Sequence, residues 1–217
     1  MHSARRSGSA AVLLDPLASE WSEVAADRVA LSGTPLATQP SAYVRARFDP
    51  RDVGRVRQVD VRSAHDGEDI YFRLVWEDDR QNVAIEENNQ FPDGCGLLLP
   101  LGTGDPPMQE MGSPEAPVNA WFWRADFGDT AHNLVAEGLG TTRPAPSAAI
   151  TARSAYAGGA WHVVLSRPLA SPEPPGAAAQ LVPGTATRIG FAIWEGGNGE
   201  RAGVKAFSRE WRELAIE

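Results

Sequence analysis

Residues 56–76 read Val-Arg-Gln-Val-Asp-Val-Arg-Ser-Ala-His-Asp-Gly-Glu-Asp-Ile-Tyr-Phe-Arg-Leu-Val-Trp. Apolar and polar residues alternate over Val56–Arg62, and a run of β-branched and aromatic residues follows over Ile70–Trp76, which is the pattern of two β-strands. Between the two runs, His65-Asp-Gly-Glu68 has the composition of a turn. The stretch therefore predicts a β-hairpin.

Further short runs of β-branched and aromatic residues have the same character and predict more strands: Cys95–Pro100, Val118–Trp123, Ala149–Arg153, Trp161–Leu165, Arg188–Trp194 and Trp211–Ile216. Seventeen prolines and 21 glycines are spread along the chain, too densely for long helices. Many short strands divided by turn residues predict an all-β fold, a mostly antiparallel β-sandwich with long loops and a few short helices.

The length of 217 residues fits one domain, 1–217, of which the N-terminal segment 1–30 is the least defined part. Helical periodicity is weak and confined to Glu20–Ala30. The Pro/Ala-rich stretch Ala170–Gly184 is expected to be a long surface loop, because the segments on both sides of it are similar in character.

Charge and cysteine content exclude several kinds of partner and site. The net charge is −8 and the basic residues are scattered singly, so a nucleic-acid partner is not expected. The single cysteine, Cys95, allows no intramolecular disulfide and no cysteine-based zinc or iron–sulfur site, and its apolar surroundings predict a buried residue.

No run approaches the roughly 20 apolar residues of a membrane helix, so no membrane span is expected. Arg5-Arg6 is reminiscent of a twin-arginine export signal. The apolar segment that follows, Ala10–Leu14, ends at Asp15 and is shorter than the roughly 7–15 residues of a signal core. The sequence thus gives no clear export signal.

Residue patterns of catalysis are absent from the sequence. There is no Gly-x-Ser-x-Gly motif, and the four histidines show no pairing pattern, so no catalytic residue is assigned. The acidic stretch Glu77-Asp-Asp79, with Asn82 and Glu86-Glu87 nearby, could hold Ca²⁺. Because the spacing of these oxygen ligands is irregular, a solvated loop is the favoured interpretation.

Two features suggest a haem site. Met111 stands with Gly112 at a Gly/Pro-rich bend just before a tryptophan-dense strand, and Lys205 lies in the apolar run Gly203-Val-Lys-Ala-Phe207. A thioether and an amine presented beside large aromatic rings could bind the two faces of a haem. Taken alone, Met111 would be a core residue in most proteins and Lys205 a surface residue whose stem packs on apolar neighbours, so neither signal is specific.

An alternative function rests on Trp121 and Trp123. Two residues apart on a predicted strand, they share a face and could form a stacking platform for sugars. The chain would then be a carbohydrate-binding β-sandwich module without a redox cofactor. A coloured protein with haem absorption would favour the first hypothesis, and a colourless one the second.

A family resemblance rests on blocks that occur in order from about Leu31 to the C-terminus. They are His65-Asp-Gly-Glu-Asp-Ile-Tyr-Phe-Arg-Leu-Val-Trp-Glu-Asp-Asp79, Phe91-Pro-Asp93, Leu99-Pro100, Met111-Gly112, Pro117-Val-Asn-Ala-Trp-Phe-Trp-Arg-Ala-Asp126, Asn133-Leu-Val-Ala-Glu-Gly-Leu-Gly-Thr141, Trp161-His-Val-Val-Leu-Ser-Arg-Pro-Leu169 and Gly203-Val-Lys-Ala206. The chain resembles the haem b-binding gamma subunits of type II DMSO-reductase-family molybdoenzymes. These include the gamma subunits of ethylbenzene dehydrogenase, dimethylsulfide dehydrogenase, selenate reductase and chlorate reductase.

The resemblance implies a β-sandwich with one haem b whose iron is ligated by a methionine and a lysine. By position these are Met111 and Lys205, with Met108 as the competing thioether. It also implies a non-catalytic, periplasmic subunit. Such a subunit passes electrons between an iron–sulfur beta subunit and a c-type cytochrome or other redox carrier, beside a catalytic molybdopterin alpha subunit. Without a clear export signal, a cytoplasmic location stays open.

The chemistry of the two residues agrees with this. A thioether is a soft ligand that favours Fe(II), and lysine binds iron only as the neutral amine, which burial favours. Asn119, Trp121 and Trp123 alternate onto one side of the strand after Met111, so they are expected to face the haem pocket. Arg73 is expected to meet a haem propionate, although an ordinary surface salt bridge explains it equally well.

Overall fold

The computed structural model describes residues 1–7, 10–102, 104, 106–145, 150–171 and 176–217. Its strands are β1 (His2–Arg5), β2 (Asp27–Ala30), β3 (Ser32–Gly33), β4 (Gln58–His65), β5 (Asp69–Glu77), β6 (Gly94–Pro100), β7 (Val118–Arg124), β8 (Thr130–Ala136), β9 (Arg143–Pro144), β10 (Ile150–Ala157), β11 (Ala160–Pro168), β12 (Ala186–Trp194), β13 (Ala206–Phe207) and β14 (Arg212–Ile216). The helices are α1 (Ala10–Leu14) and α2 (Ala42–Arg47). Short 3₁₀ turns lie at Ser19–Glu23, Leu36–Thr38, Met108–Glu110, Ala125–Phe127 and Gly196–Asn198.

The strands form two stacked sheets. Sheet A has the order β14-β1-β4-β5-β11-β10 with β2 on β4, and sheet B has the order β8-β7-β6-β12-β13-β3 with β9 on β8. Two strands connect the sheets, since β8 pairs with β10 and the first half of β12 pairs with β14. All pairings are antiparallel except those of β1 with β14 and β4. The predicted all-β, mostly antiparallel sandwich is confirmed.

The core lies between the sheets and is rich in aromatic residues. Phe72 of sheet A meets Trp121 of sheet B edge-on with ring centroids 5.6 Å apart, and Trp161 meets Trp123 in the same way at 5.3 Å. Edge-to-face packing is a preferred arrangement of aromatic rings, and each such side chain removes a large apolar area from water. These contacts fasten sheet A to sheet B.

The hairpin predicted from residues 56–76 is present as β4 and β5, paired in register from His65 with Ile70 to Asp60 with Val75. Its turn is held by one carboxylate. Asp66 Oδ1 accepts hydrogen bonds from the backbone N–H groups of Glu68 and Asp69, both at 2.8 Å, and Asp66 Oδ2 accepts one from the Tyr71 hydroxyl at 2.8 Å. The side chain thus replaces backbone hydrogen bonds in the turn.

Some elements differ from the sequence prediction. The weak helix predicted over Glu20–Ala30 is wrong: Ser19–Glu23 is a 3₁₀ turn and Asp27–Ala30 is the strand β2. Pairing with β4 satisfies the backbone hydrogen-bonding groups of β2. A helix as short as this segment would be only marginally stable without packing partners. The sequence analysis also missed β8 and the helix α2, which Ser41 caps by accepting a hydrogen bond from Val44 N at 3.4 Å.

The stretch Ala170–Gly184 was predicted to be a surface loop. It contains no helix or strand among its described residues, but Ala177, Ala178, Ala179 and Leu181 are buried, so the surface part of the prediction is wrong for them. Small alanines let the chain pack closely over the sheet. Residues 172–175 of this stretch, like Ala149 of a predicted strand, lie outside the described residues.

Cys95 is buried within β6, as predicted, and burial raises the pKa of its thiol far above the usual value. In the part of the chain that the structure describes, the helices are all too short or too polar to cross a membrane.

Candidate functional site

Lys205 immediately precedes β13, which lies between β12 and the edge strand β3 of sheet B. Its carbonyl accepts two hydrogen bonds from Thr34, one from the backbone N–H and one from the side-chain hydroxyl, both at 2.9 Å. The residue as a whole is only 7% exposed, although it carries an amine. Lysine is almost never this buried unless it has a partner, so the surroundings of the amine are informative.

The thioether sulfur of Met111 lies next to the Lys205 amine. The Lys205 Nζ atom lies 3.7 Å from the Met111 Sδ atom, although the two residues are 94 positions apart in sequence. Met111 ends the turn Met108–Glu110 in the left-handed region with a φ of 58°, and Gly112 follows with a φ of 85°. A Cβ at Gly112 would lie 2.8 Å from the Ala116 carbonyl oxygen, so the bend that positions Met111 requires glycine.

Aromatic rings surround the amine. The Nζ atom of Lys205 lies 5.3 Å from the ring centroid of Trp194, and that ring contacts Phe122 edge-on at 5.0 Å. A Cβ at Gly96 would lie 3.4 Å from the Trp194 ring, so glycine allows the indole to approach β6 closely. The distance between Nζ and Trp194 is that of a cation–π contact.

These aromatic residues belong to the outer face of sheet B, which points away from the core. Because strand residues alternate between faces, the registers of β6, β7, β8 and β12 bring one set of half-buried apolar side chains together. They are Leu98, Phe122, Leu134, Ala192 and Trp194. This set, which we call the outer apolar face, borders the pair Met111 and Lys205.

The electrostatics of Lys205 make its amine easier to deprotonate than an exposed lysine. Burial lowers the pKa of Lys205 from its ordinary value to about 8. Among the described residues, no carboxylate lies within ion-pair distance of its Nζ atom. A neutral amine has a free lone pair, so this side chain has the protonation behaviour that a metal ligand needs.

Met108, the competing thioether, lies elsewhere. Its Sδ atom is 3.7 Å from the Ser208 hydroxyl, and its methyl group packs against β12, where a Cβ at Gly190 would lie only 2.7 Å from it. The thioether next to Lys205 is therefore that of Met111.

The structure does not bring Asn119, Trp121 and Trp123 to this pair. All three are fully buried on the core face of β7, opposite to the outer apolar face. Asn119 Nδ2 donates to Asn133 Oδ1 at 2.6 Å, and Asn119 Oδ1 accepts from Trp121 Nε1 at 3.3 Å. Alternation correctly indicates that they share a face, but that face is the inner one. Neither indole ring is open to solvent for stacking on a sugar.

Arg73 also lies apart from the pair, on β5 of sheet A. Its Nε donates to the Pro16 carbonyl at 2.7 Å, and its guanidinium lies 2.9 Å from His162 Nδ1. Burial lowers the pKa of both Arg73 and His162. Arg73 thus joins the N-terminal segment to sheet A in this structure.

Sequence reasoning missed Glu200, which orders the loop that ends at Lys205. This buried carboxylate accepts hydrogen bonds from the backbone N–H groups of Gly54, Arg55 and Glu195 and from the Asn198 side chain, at 2.8, 2.9, 3.2 and 2.9 Å. Its only sequence signal is an acid within a glycine-rich loop, which is also the composition of an exposed turn.

We expect Glu200→Gln to lower the free energy of unfolding by about 1–2 kcal/mol, because one charge-assisted acceptor becomes an amide donor. Chemical denaturation measures this. The exposed neighbour Glu210 provides a matched control, and Glu210→Gln should change stability by less than about 0.5 kcal/mol. Equal effects of the two variants would contradict the assigned role.

Comparison with known proteins gives the following relatives. The ethylbenzene dehydrogenase family matches residues 18–145 and 142–206. A chlorate reductase gamma subunit from Ideonella dechloratans is 41% identical over 146 residues, covering 67% of this chain and 59% of the relative. A Haloferax mediterranei protein named as a respiratory nitrate reductase haem subunit is 34% identical, covering 90% of this chain and 66% of the relative. The dimethylsulfide dehydrogenase gamma subunit of Rhodovulum sulfidophilum is 30% identical, covering 88% and 71%.

The matched part of the chain thus spans between 59% and 71% of the length of these relatives. Among solved structures, a Caldicellulosiruptor kristjanssonii carbohydrate-binding module of family 9, in complex with cellotriose, matches with a TM-score of 0.51. It covers 100% of this chain and 93% of the module at 9% identity, which shows a shared fold alone.

Proposed function

The chain belongs to the ethylbenzene dehydrogenase family, and from this premise we propose that it is the haem b electron-transfer subunit of a molybdenum oxidoreductase complex. The observation that carries the proposal is the buried amine of Lys205, which forms no ion pair with the described carboxylates. It lies 3.7 Å from the Met111 thioether, beside a half-buried apolar sheet face.

In this proposal Met111 and Lys205 would hold the haem iron, and the outer apolar face, with Trp194 and Phe122, would supply the apolar surroundings of the group. The donor set suits the group, because a thioether and a neutral amine are both good iron ligands. The two donor atoms lie 3.7 Å apart, so both would be within reach of a single iron.

A haem so held would supply one-electron transfer at a potential raised by its methionine ligand. The residues of the chain prepare the site for this. Burial of Lys205 keeps its amine able to lose a proton, and the hydrogen bonds from Thr34 fix the backbone that presents it. With two side chains of this chain as its ligands, the iron would be suited to electron transfer and not to binding a substrate. The chain would therefore relay electrons without turning over a substrate itself.

The proposed partners follow from the relatives, which are named as subunits of chlorate reductase, nitrate reductase and dimethylsulfide dehydrogenase. The chain would exchange electrons with an iron–sulfur beta subunit, beside a catalytic molybdopterin alpha subunit. A c-type cytochrome or a similar carrier would be its external partner, in the periplasm. Co-purification with these subunits from a periplasmic extract would support this arrangement.

The test of the proposal is the visible spectrum of the full chain produced with an adequate haem supply. We expect a low-spin b-type spectrum with one haem per chain that changes on reduction with dithionite. A folded, colourless protein that takes up no haem would overturn the proposal. Heats of binding with cello-oligosaccharides, measured on the same sample, would then decide whether the chain is a sugar-binding module.

A further inference from the structure

Three buried carboxylates meet where the strands β5, β6 and β12 begin or end, and Met111 and Lys205 are not among them. They are Asp78 after β5, Asp93 before β6 and Glu195 after β12, and their exposures are 5%, 0% and 6%. One oxygen from each lies within 4.8 Å of the others. Among the described residues, no lysine or arginine forms an ion pair with any of them.

For two oxygen atoms in this cluster, the described part of the chain supplies no hydrogen-bond donor. Asp78 Oδ2 is buried and has none, although the indole of Trp76 approaches this carboxyl group without reaching hydrogen-bond geometry. The amide oxygen of Asn82 is likewise buried and without a donor. A buried carboxylate oxygen without a partner is strongly unfavourable, so a cation bound to these oxygens would be stabilising.

The oxygens also share a common space. A Cβ built on Gly197 would lie 2.7 Å from Glu195 Oε1 and 3.1 Å from Asn82 Oδ1, so both atoms crowd the position above this glycine. Asp93 is firmly placed beside them, because its two oxygens accept hydrogen bonds from the N–H groups of Asn82, Gly196 and Trp161 at 2.8, 2.8 and 2.9 Å.

We propose that Asp78, Asp93 and Glu195, together with the amide oxygen of Asn82, form a binding site for a single Ca²⁺ ion. All four groups are oxygen donors, which hard cations prefer. Ligand oxygens lie about 2.3–2.6 Å from Ca²⁺, so oxygens up to about 5 Å apart can share one ion. Mg²⁺ retains several of its waters and suits such a protein cage less well.

The electrostatics of the carboxylates agree with this geometry. Burial, followed by the neighbouring carboxylates, raises the pKa of Asp78 to about 6 and that of Glu195 to about 7. Burial also raises the pKa of Asp93. The charged groups that face the cluster from adjoining segments, Asp79 and Glu200, are also acidic.

The position of the site gives the ion a structural role. Glu195 and Gly196 begin the segment that leads to Lys205, and Glu195 follows Trp194, whose ring lies against the Lys205 amine. An ion bound here would join this segment to the ends of β5 and β6. The inference does not depend on the proposed haem, because its ligands and its readout are separate from it.

The test uses the full chain, freed of metal with EDTA and then dialysed, and titrated with Ca²⁺ by calorimetry and by thermal unfolding. We expect one ion per chain and a Tm increase of about 5–10 °C at a hundredfold excess over Kd. Mg²⁺ at the same concentration should produce a smaller increase.

Two variants change proposed ligands, and a third adds a methyl group close to the ligand oxygens. Asp78→Asn and Glu195→Gln should weaken Ca²⁺ binding at least tenfold, and Gly197→Ala should do so without changing any charge. The control Glu87→Gln removes an exposed charge on the loop between β5 and β6 and should bind like wild type. No heat and an unchanged Tm in the wild-type chain, as for a cluster that holds only protons, would overturn the proposal. Equal Ca²⁺ binding by the three variants and the control would also overturn it. If a variant does not fold, the titration of the wild-type chain still decides.

Discussion

Replacing Lys205 with leucine is expected to abolish the six-coordinate, low-spin haem spectrum and to weaken haem binding at least about tenfold, or ~1.4 kcal/mol. Leucine fills most of the same apolar space but has no lone pair for iron. The haem-free variant should nevertheless be more stable than wild type, by about 1–3 kcal/mol. The reason is that an amine buried without a carboxylate partner is replaced by an apolar side chain.

The opposite signs of these two effects make the experiment informative. A lysine with a purely structural role would lower stability when removed, and the absorption spectrum would change only through unfolding. Visible spectra of haem-loaded samples and denaturant titrations of haem-free samples measure the two effects separately. A Lys205→Leu protein with an unchanged low-spin spectrum would show that the amine is not a ligand.

The thioether ligand is identified by a matched pair of methionine variants. Met111→Ala should remove the low-spin spectrum and lower the reduction potential, because a soft ligand that favours Fe(II) is lost. Met108→Ala removes a thioether that lies beside Ser208 and should leave the spectrum unchanged. The reverse result would assign the ligand to Met108.

The sequence predicted the hairpin of β4 and β5 well, because its signals are local. Alternation over a few residues defines each strand, and Asp66-Gly67 defines the turn between them. The strand β2 was not predicted, since its four residues become a strand only by pairing with β4. Short segments of this kind depend on partners that are distant in sequence.

The environment of the candidate site was harder to predict. Both faces of β7 are apolar, with Ala120 and Phe122 on one side and Trp121 and Trp123 on the other, so alternation alone could not assign the inner face. The proximity of Met111 and Lys205 also has no local signal, because 94 positions separate them. The apolar and aromatic context of each residue suggested that pairing, and the family resemblance supported it. The carboxylates of Asp78, Asp93 and Glu195 come together only in the fold.

Trp121→Ala is expected to lower the free energy of unfolding by about 3–5 kcal/mol, the usual effect of truncating a fully buried aromatic residue. The indole contacts Phe72 edge-on at 5.6 Å, and the Arg167 guanidinium lies 5.0 Å from the ring. Its removal would leave a cavity between sheets A and B that rigid strands cannot close. Denaturant titration of the haem-free chain measures the loss, and Trp121→Phe should lose less.

The matched variant on the opposite face is Trp194→Ala. This half-buried ring lies against Lys205 on the outer apolar face, so its removal should weaken haem binding more than it lowers stability. The two substitutions should therefore have different effects: Trp121→Ala should mainly lower stability, and Trp194→Ala should mainly change the haem spectrum. If Trp121→Ala instead kept full stability and lost binding of haem or of a sugar, Trp121 would have to face a ligand. That result would contradict the placement of Trp121 in the core between sheets A and B.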